Sequence, residues 1–326
     1  MCGICGVRKF GEVPIPEDMV TLLILNQQNR GLEAAGVALQ DSKGHIETLR
    51  NNVTPYEFVS SREYKDFMRE FLTPETIIAL GHARKATIGP PRIITNNHPM
   101  FNGTTAVVHN GHISNHEWAF KEWKLDRKAE TDSDIFRAVF DKEGFSMKAI
   151  EMLSRLSGSG AFAAISTKYP GKLMLGRSGN PIEIAVTANQ HLMFSSETGP
   201  LYKAMRPYKK VFGINMREMT PKDYFMIGME DDSAWLLANK PINNITGEDS
   251  DWIEWHKELR IAQHFTPHVY TCHADFHGAR LKFYDDRPID VVKCPNPKCP
   301  MYLSVPPSAL SDLKRYTCKA CGSKLG

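Results

Sequence analysis

Long apolar runs are missing from this sequence of 326 residues. No stretch approaches the roughly 20 residues a helix needs to cross a bilayer, so no membrane span is expected. The N-terminus lacks a basic segment followed by an apolar one, so no secretory signal is read and the expected compartment is the reducing cytoplasm. In that setting the seven cysteines point to catalysis or metal binding rather than to disulfides. A dominant charge is lacking too: a formal net charge of +3 is too small to mark the whole chain as a nucleic-acid binder. Repeats and low-complexity tracts are absent. With 42% hydrophobic and 24% charged residues, the composition is that of a globular protein.

What is present begins with strand and helix patterns. Residues 20 to 29 have helical apolar spacing, and GVALQ and IETLR read as strands flanking a turn at Asp41 to Gly44. IIALGHAR, TTAVVHNGHI, GAFAAIST, KLMLGRS, IEIAVT and HLMFSS are further strand-like runs bounded by Gly, Asn and Pro, while 131 to 143 and 146 to 156 have helical spacing. Many strands with grouped helices make an α+β pattern rather than a βαβ repeat. The strand-rich region ends near Pro241, after DYFMIG and SAWLLA, and NNITGEDSD follows as a polar connection. The expected organisation is a large domain over 2–241, an extension over 242–290, and a small module over 291–326. The five histidines of the extension have no ligand-like spacing and read as surface residues.

The opening hexapeptide, MCGICG, carries the sharpest chemical signal. Removal of Met1 would leave Cys2 with a free α-amino group. That amine titrates near neutrality and can serve as the base for its own thiol, whereas a retained Met1 would acylate it. Cys5 has no such amine and reads as a packed core thiol.

CGICG at 2 to 6 is followed in order by RGLEAAG (30 to 36), GHARKATIG (81 to 89), NNHP (96 to 99), VHNG (108 to 111), ETDSD (130 to 134), GAFA (160 to 163) and RSGNP (177 to 181). This ordered set resembles the glutaminase domain of class II glutamine amidotransferases, which are N-terminal nucleophile hydrolases. The resemblance implies an α+β fold, the four-layer αββα sandwich, over residues 2 to about 241. It implies Cys2 as nucleophile, with Asn110 and Gly111 as the oxyanion hole that meets charge developing on the amide oxygen; a plain Asn-Gly hairpin turn is the bland alternative for that pair. It further implies Arg84 for the α-carboxylate of L-glutamine, Asp132 for its α-ammonium, Thr87 and His98 as supports of the loop, and Gly31 at a tight backbone approach near the cysteine. Taken alone, Arg84 would be a surface charge and Asp132 an N-cap. Lys85 and Ile88 depart from members that place an aromatic or a histidine after the arginine.

The implied reaction is hydrolysis of glutamine through a Cys2 thioester to glutamate and ammonia. Relatives fuse this domain to a second one that consumes the ammonia. Here fewer than ninety residues follow position 241, with no phosphate-binding glycine loop among them, so an ammonia-accepting partner enzyme is expected on a separate polypeptide. Two other readings stand beside it: a catalytically silent adaptor acting through the C-terminal module, and an amidase of the same superfamily acting on acylated amines. The second fits the pairing of Arg84 with Asp132 poorly.

The C-terminal module holds CPNPKC at 294 to 299 and CKAC at 318 to 321. Cys294, Cys299, Cys318 and Cys321 approximate the four-thiolate zinc ribbon, the first knuckle being longer than usual, and so small a segment needs a structural Zn2+ to fold. Such a module docks protein or nucleic acid. The basic residues Lys293, Lys298, Lys314, Arg315, Lys319 and Lys324 suit phosphate, and a solvated basic surface equally.

Overall fold

The structure, a computed structural model, describes residues 1–9, 12–178, 180–187 and 191–205, the strand segments 211–212, 224–227, 234–238, 290–293 and 302–305, and residue 324. The expected linker up to residue 289, its histidines, and all four cysteines of the C-terminal pairs lie outside the described residues.

Two antiparallel sheets form the centre. The first has the order β11 (Val211–Phe212), β9 (Glu183–Thr187), β10 (His191–Ser195), β1 (Gly3–Lys9), β4 (Thr76–Arg84), β2 (Ala34–Asp41) and β3 (Ile46–Asn51). The second has the order β13 (Ala234–Ala238), β12 (Tyr224–Ile227), β8 (Tyr169–Ser178), β7 (Gly158–Ser166), β6 (Thr105–Ile113) and β5 (Met100–Phe101). A separate antiparallel pair joins β14 (Asp290–Lys293) to β15 (Tyr302–Val305).

Three apolar clusters show how the layers stack. One binds the first sheet, through Val7, Val37 and Ala79, to residues of α1 (Glu17–Asn26), α2 (Pro55–Ser60), α3 (Arg62–Phe71) and α7 (Thr198–Met205). A second joins the two sheets through Ile4, Leu80, Val108, Ala163 and Leu175. The third packs Val107, Phe162 and Met174 of the second sheet against α4 (His116–Glu122), α5 (Asp134–Glu143) and α6 (Met147–Ser154). Helices, sheet, sheet and helices thus make four layers, as expected. Sheets covered on both faces explain why β4 is buried along its whole length and reads in sequence as an almost unbroken apolar run.

Local signals start the short helices. Thr54 accepts from the Glu57 N–H at 3.2 Å and the Glu57 carboxylate accepts from the Thr54 N–H at 2.9 Å, a reciprocal cap with Pro55 at the first position of α2. Ser61 and Ser146 cap α3 and α6. Among the described residues, no helix is long and apolar enough to cross a membrane.

Candidate active site

The start of β1 sets the position of Cys2. Inside the first sheet Gly3 pairs with Ala83 of β4, so the residue before it arrives where β4 ends. There the Cys2 Sγ lies 3.4 Å from both the main-chain N and O of Lys85. Burial pushes the Cys2 thiol up; the Lys85 N–H, the Arg84 guanidinium and the chain's amino terminus oppose that rise, and the Asp132 carboxylate adds to it. Cys2, Arg84 and Asp132, distant in sequence, therefore share one electrostatic environment. Cys5 points into the core, 1% exposed, and burial raises its thiol strongly.

Arg30 fixes the main chain of the cysteine. Its Nε donates to the Cys2 carbonyl at 2.7 Å and its Nη1 to Glu197 Oε1 at 2.5 Å. Arg30 lies in the RGLEAAG motif, which does not by itself show this contact. Glu197 follows β10, far along the chain, and no local pattern announces it.

Arg84 ends β4, and its guanidinium is turned into the loop that follows. It donates to Asn97 Oδ1 at 2.7 Å, to the Ile88 carbonyl at 2.6 Å and to the Gly89 carbonyl at 2.7 Å. Three of its five donors thus hold the loop, and both hydrogens of Nη2 are engaged. The free planar fork expected for a carboxylate is not presented in this arrangement. Glu33 completes the fastening, since its N–H donates to the Arg84 carbonyl at 3.0 Å and its carboxylate accepts from the Ala86 N–H at 2.5 Å.

Gly31 sits against this junction. A Cβ there would lie 2.4 Å from the Arg84 carbonyl carbon and 2.5 Å from its oxygen, so the close approach is to the segment that touches Cys2 rather than to Cys2 itself. Thr87 is exposed on the loop and takes no part in these contacts. His98 is buried beneath the loop, its ring stacked on His82 with centroids 4.0 Å apart.

Asn110 and Gly111 lie within β6, paired with Ala161 and Gly160 of β7. The Asn-Gly pair is therefore not a hairpin turn, because the strand runs through it to Ile113. Asn110 is fully buried, yet neither its Nδ2 nor its Oδ1 has a hydrogen-bond partner. An orphaned buried amide is costly unless something else completes it, such as a ligand. A Cβ at Gly111 would meet the Ser159 carbonyl oxygen at 2.2 Å, which accounts for the glycine. Asn180, from RSGNP, donates to the Asn110 main-chain carbonyl at 2.7 Å.

Asp132 precedes α5 but does not cap it. Its Oδ2 accepts from the Ile113 N–H at 2.7 Å and its Oδ1 from Thr131 Oγ1 at 3.2 Å, and it is 2% exposed. Three buried histidines lie below. Burial drives His82 down to about 3 and His109 down to about 4, and holds His98 well below its ordinary value. They are neutral at physiological pH. Among the described residues no group of His, Cys, Asp and Glu could hold a metal ion.

Two antiparallel sheets between helical layers, with a cysteine just ahead of the first strand, make an α+β fold. In line with this, the structure resembles the allosteric regulatory enzyme of purine biosynthesis (TM-score 0.57, 18% identity, covering 73% of this chain and 50% of that one). It also resembles the glutamine phosphoribosylpyrophosphate amidotransferase of B. subtilis (TM-score 0.55, 20% identity, with the same coverage of 73% and 50%). Residues 82–203 match the family described as a glutamine amidotransferase domain. Curated relatives include the isomerizing glutamine–fructose-6-phosphate aminotransferases of Yersinia pseudotuberculosis, 30% identical over 60% of this chain and 32% of the relative, and of Agrobacterium fabrum, 32% identical over 56% and 30%. Over residues 82–203 the chain is thus similar to a glutamine amidotransferase domain. It matches about a third of the length of these relatives.

Proposed function

We propose that this domain hydrolyses L-glutamine to glutamate and ammonia through a thioester on Cys2, and that the ammonia goes to an acceptor. The observation that carries the reading is the convergence of Cys2, Arg84 and Asp132 in one charge-coupled cluster, a nucleophile together with the two charges that complement a free amino acid. The orphaned amide of Asn110 supports it as a donor awaiting an oxyanion.

In this mechanism the Cys2 thiolate adds to the side-chain amide carbon, and the oxyanion takes hydrogen bonds from Asn110 Nδ2 and the Gly111 N–H. The α-amino group of Cys2, freed by loss of Met1, accepts the thiol proton and returns it to the leaving ammonia. Met1 is 70% exposed, so its removal takes nothing from the core. Water then hydrolyses the thioester. Arg84 and Asp132 hold the α-carboxylate and α-ammonium, with His98 supporting the loop from beneath; once the carboxylate is bound it takes over donors that now hold Ile88 and Gly89.

The adaptor reading is the competitor. Glutamate release from L-glutamine, with intact mass recorded on the same sample and Cys2→Ala alongside, separates the two. Release that needs Cys2, from a chain lacking Met1, is expected; no release from a correctly processed chain, even with candidate partners added, would leave the adaptor.

We further propose that Cys294, Cys299, Cys318 and Cys321 take one structural Zn2+. Four thiolates suit zinc, and the pairing of β14 with β15 brackets the first cysteine pair, which supports a hairpin knuckle. The module would dock the acceptor protein. About one zinc per full chain by elemental mass spectrometry, lost together with acceptor binding in Cys318→Ser, is expected; a metal-free chain overturns it.

A further inference from the structure

Next to the oxyanion-hole glycine stands a residue that the glutaminase chemistry does not call for. His112 follows Gly111 on β6 and is paired across the sheet with Ser159 of β7. Its ring turns toward Asp132, with Nδ1 3.7 Å from Oδ2. The two side chains differ sharply in setting, since His112 is 54% exposed and Asp132 3%. Asp132 Oδ2 already accepts the Ile113 N–H, and the His112 ring is placed against the same oxygen.

We propose that His112 sets the affinity of the α-ammonium subsite: neutral His112 leaves Asp132 to the substrate, and protonated His112 occupies it. The inference rests on the reading of the site as a glutamine site, and deepens it. A cation 3.7 Å from the carboxylate both satisfies the charge that should receive the ammonium and repels the ammonium itself. A histidine is the side chain whose charge can change within the physiological pH range, where the ammonium of a free amino acid keeps its proton.

On the same strand His109 is held down to about 4 by burial and stays neutral over that range. On β4, Arg84 is a fixed cation that acts on Asp132 and does not change with pH. On α4, His116 is turned away, its Nδ1 2.7 Å from the Ile113 carbonyl oxygen and its Nε2 3.3 Å from Glu117. The facing residue of β7, Ser159, carries no charge.

The test is the dissociation constant of L-glutamine measured calorimetrically from pH 5.5 to 8 in full-length Cys2→Ala protein, which binds without turnover. The constant is expected to rise about five-fold toward pH 5.5. Adding His112→Asn should give a pH-independent constant close to the high-pH value, and adding His112→Lys a pH-independent constant close to the low-pH value. A residue of merely structural importance would weaken both variants alike and leave the slope. Binding at pH 8 with the same slope in His112→Asn overturns this inference alone. No binding of glutamine at pH 8 by any of these proteins overturns the glutamine reading and this inference with it.

Discussion

Asn180 reaches from the loop before β9 to donate its side-chain amide to the main-chain carbonyl of Asn110, 2.7 Å away. The bond fixes the backbone of the residue whose own side-chain amide has no protein partner. The two asparagines should therefore fail differently. With Asn110 as the proposed oxyanion donor, Asn110→Ala should lower kcat about 10²–10³-fold with little change in KM. Asn180→Ala lets the donor drift and should cost on the order of ten-fold in kcat. Steady-state glutaminase kinetics on both variants check this, and an Asn110 variant with unaltered kcat would remove Asn110 from the oxyanion hole.

Arg30 joins the Cys2 carbonyl to Glu197 with two separate nitrogens of one guanidinium. A lysine has a single ammonium and cannot span both. Arg30→Lys should thus lower kcat roughly ten-fold while KM holds, because the cysteine loses its fixed direction and the glutamine contacts remain. Glu197 is 44% exposed, and water can replace it. Glu197→Gln should change kcat by no more than about two-fold. Equal losses in the two variants would show that the anion, rather than the fork, does the positioning.

The parts of this site that were legible in sequence are those carried by short contiguous motifs. Cys2 directly precedes β1, Arg84 ends β4, Asn110 lies within β6 and Asp132 lies just ahead of α5. Strands such as β4, β6 and β7 were legible because they are long, apolar and bounded by turn residues. The strand-like run TTAVVHNGHI includes the Asn-Gly pair, whose turn preference is overridden by pairing with Ala161 and Gly160. The start of helix α2 is marked in sequence by the capping-box spacing of Thr54 and Glu57. Contacts such as Arg30 with Glu197, or His112 with Asp132, depend on tertiary placement and leave no local trace.

Arg137 and Asp134 form a buried ion pair on the first turn of α5, with side chains only 2% and 1% exposed. Arg137 Nη1 also donates to Asp141 at 2.5 Å and its Nη2 to the Asp126 carbonyl at 2.6 Å. Asp134 Oδ2 in turn accepts the N–H groups of Lys128 and Ala129. Removing only the arginine strands a buried carboxylate, so Arg137→Met should destabilise the domain by about 3–5 kcal/mol. Arg137→Met combined with Asp134→Asn should recover part of that loss, because the amide carries no charge and keeps an oxygen for the two N–H groups. Urea unfolding of the two proteins decides it, and a double variant less stable than the single one would contradict the stranded-charge account.

His82, His98 and His109 make acid the expected route to unfolding. His98 has no hydrogen-bond partner on either ring nitrogen and stacks on His82, while the Arg84 guanidinium disfavours a second positive charge on either ring. Folding holds all three below the ordinary 6.5, with His82 near 3 and His109 near 4. Between those values and 6.5 the unfolded chain binds more protons than the folded one, so stability is full above about pH 6.5 and falls as pH drops. Each histidine contributes a slope of roughly 1.4 kcal/mol per pH unit once well below 6.5. Three together would remove about 6 kcal/mol by pH 5, a large share of the 5–15 kcal/mol typical of a domain. His98→Leu is the informative variant: its apolar side chain forfeits no hydrogen bond and cannot take up the proton. Urea unfolding at several pH values between 7.5 and 4.5 should show the variant losing stability with a slope smaller by about 1.4 kcal/mol per unit, whatever its stability at neutral pH. An unchanged slope would mean that His98 is not excluded from protonation in the folded protein.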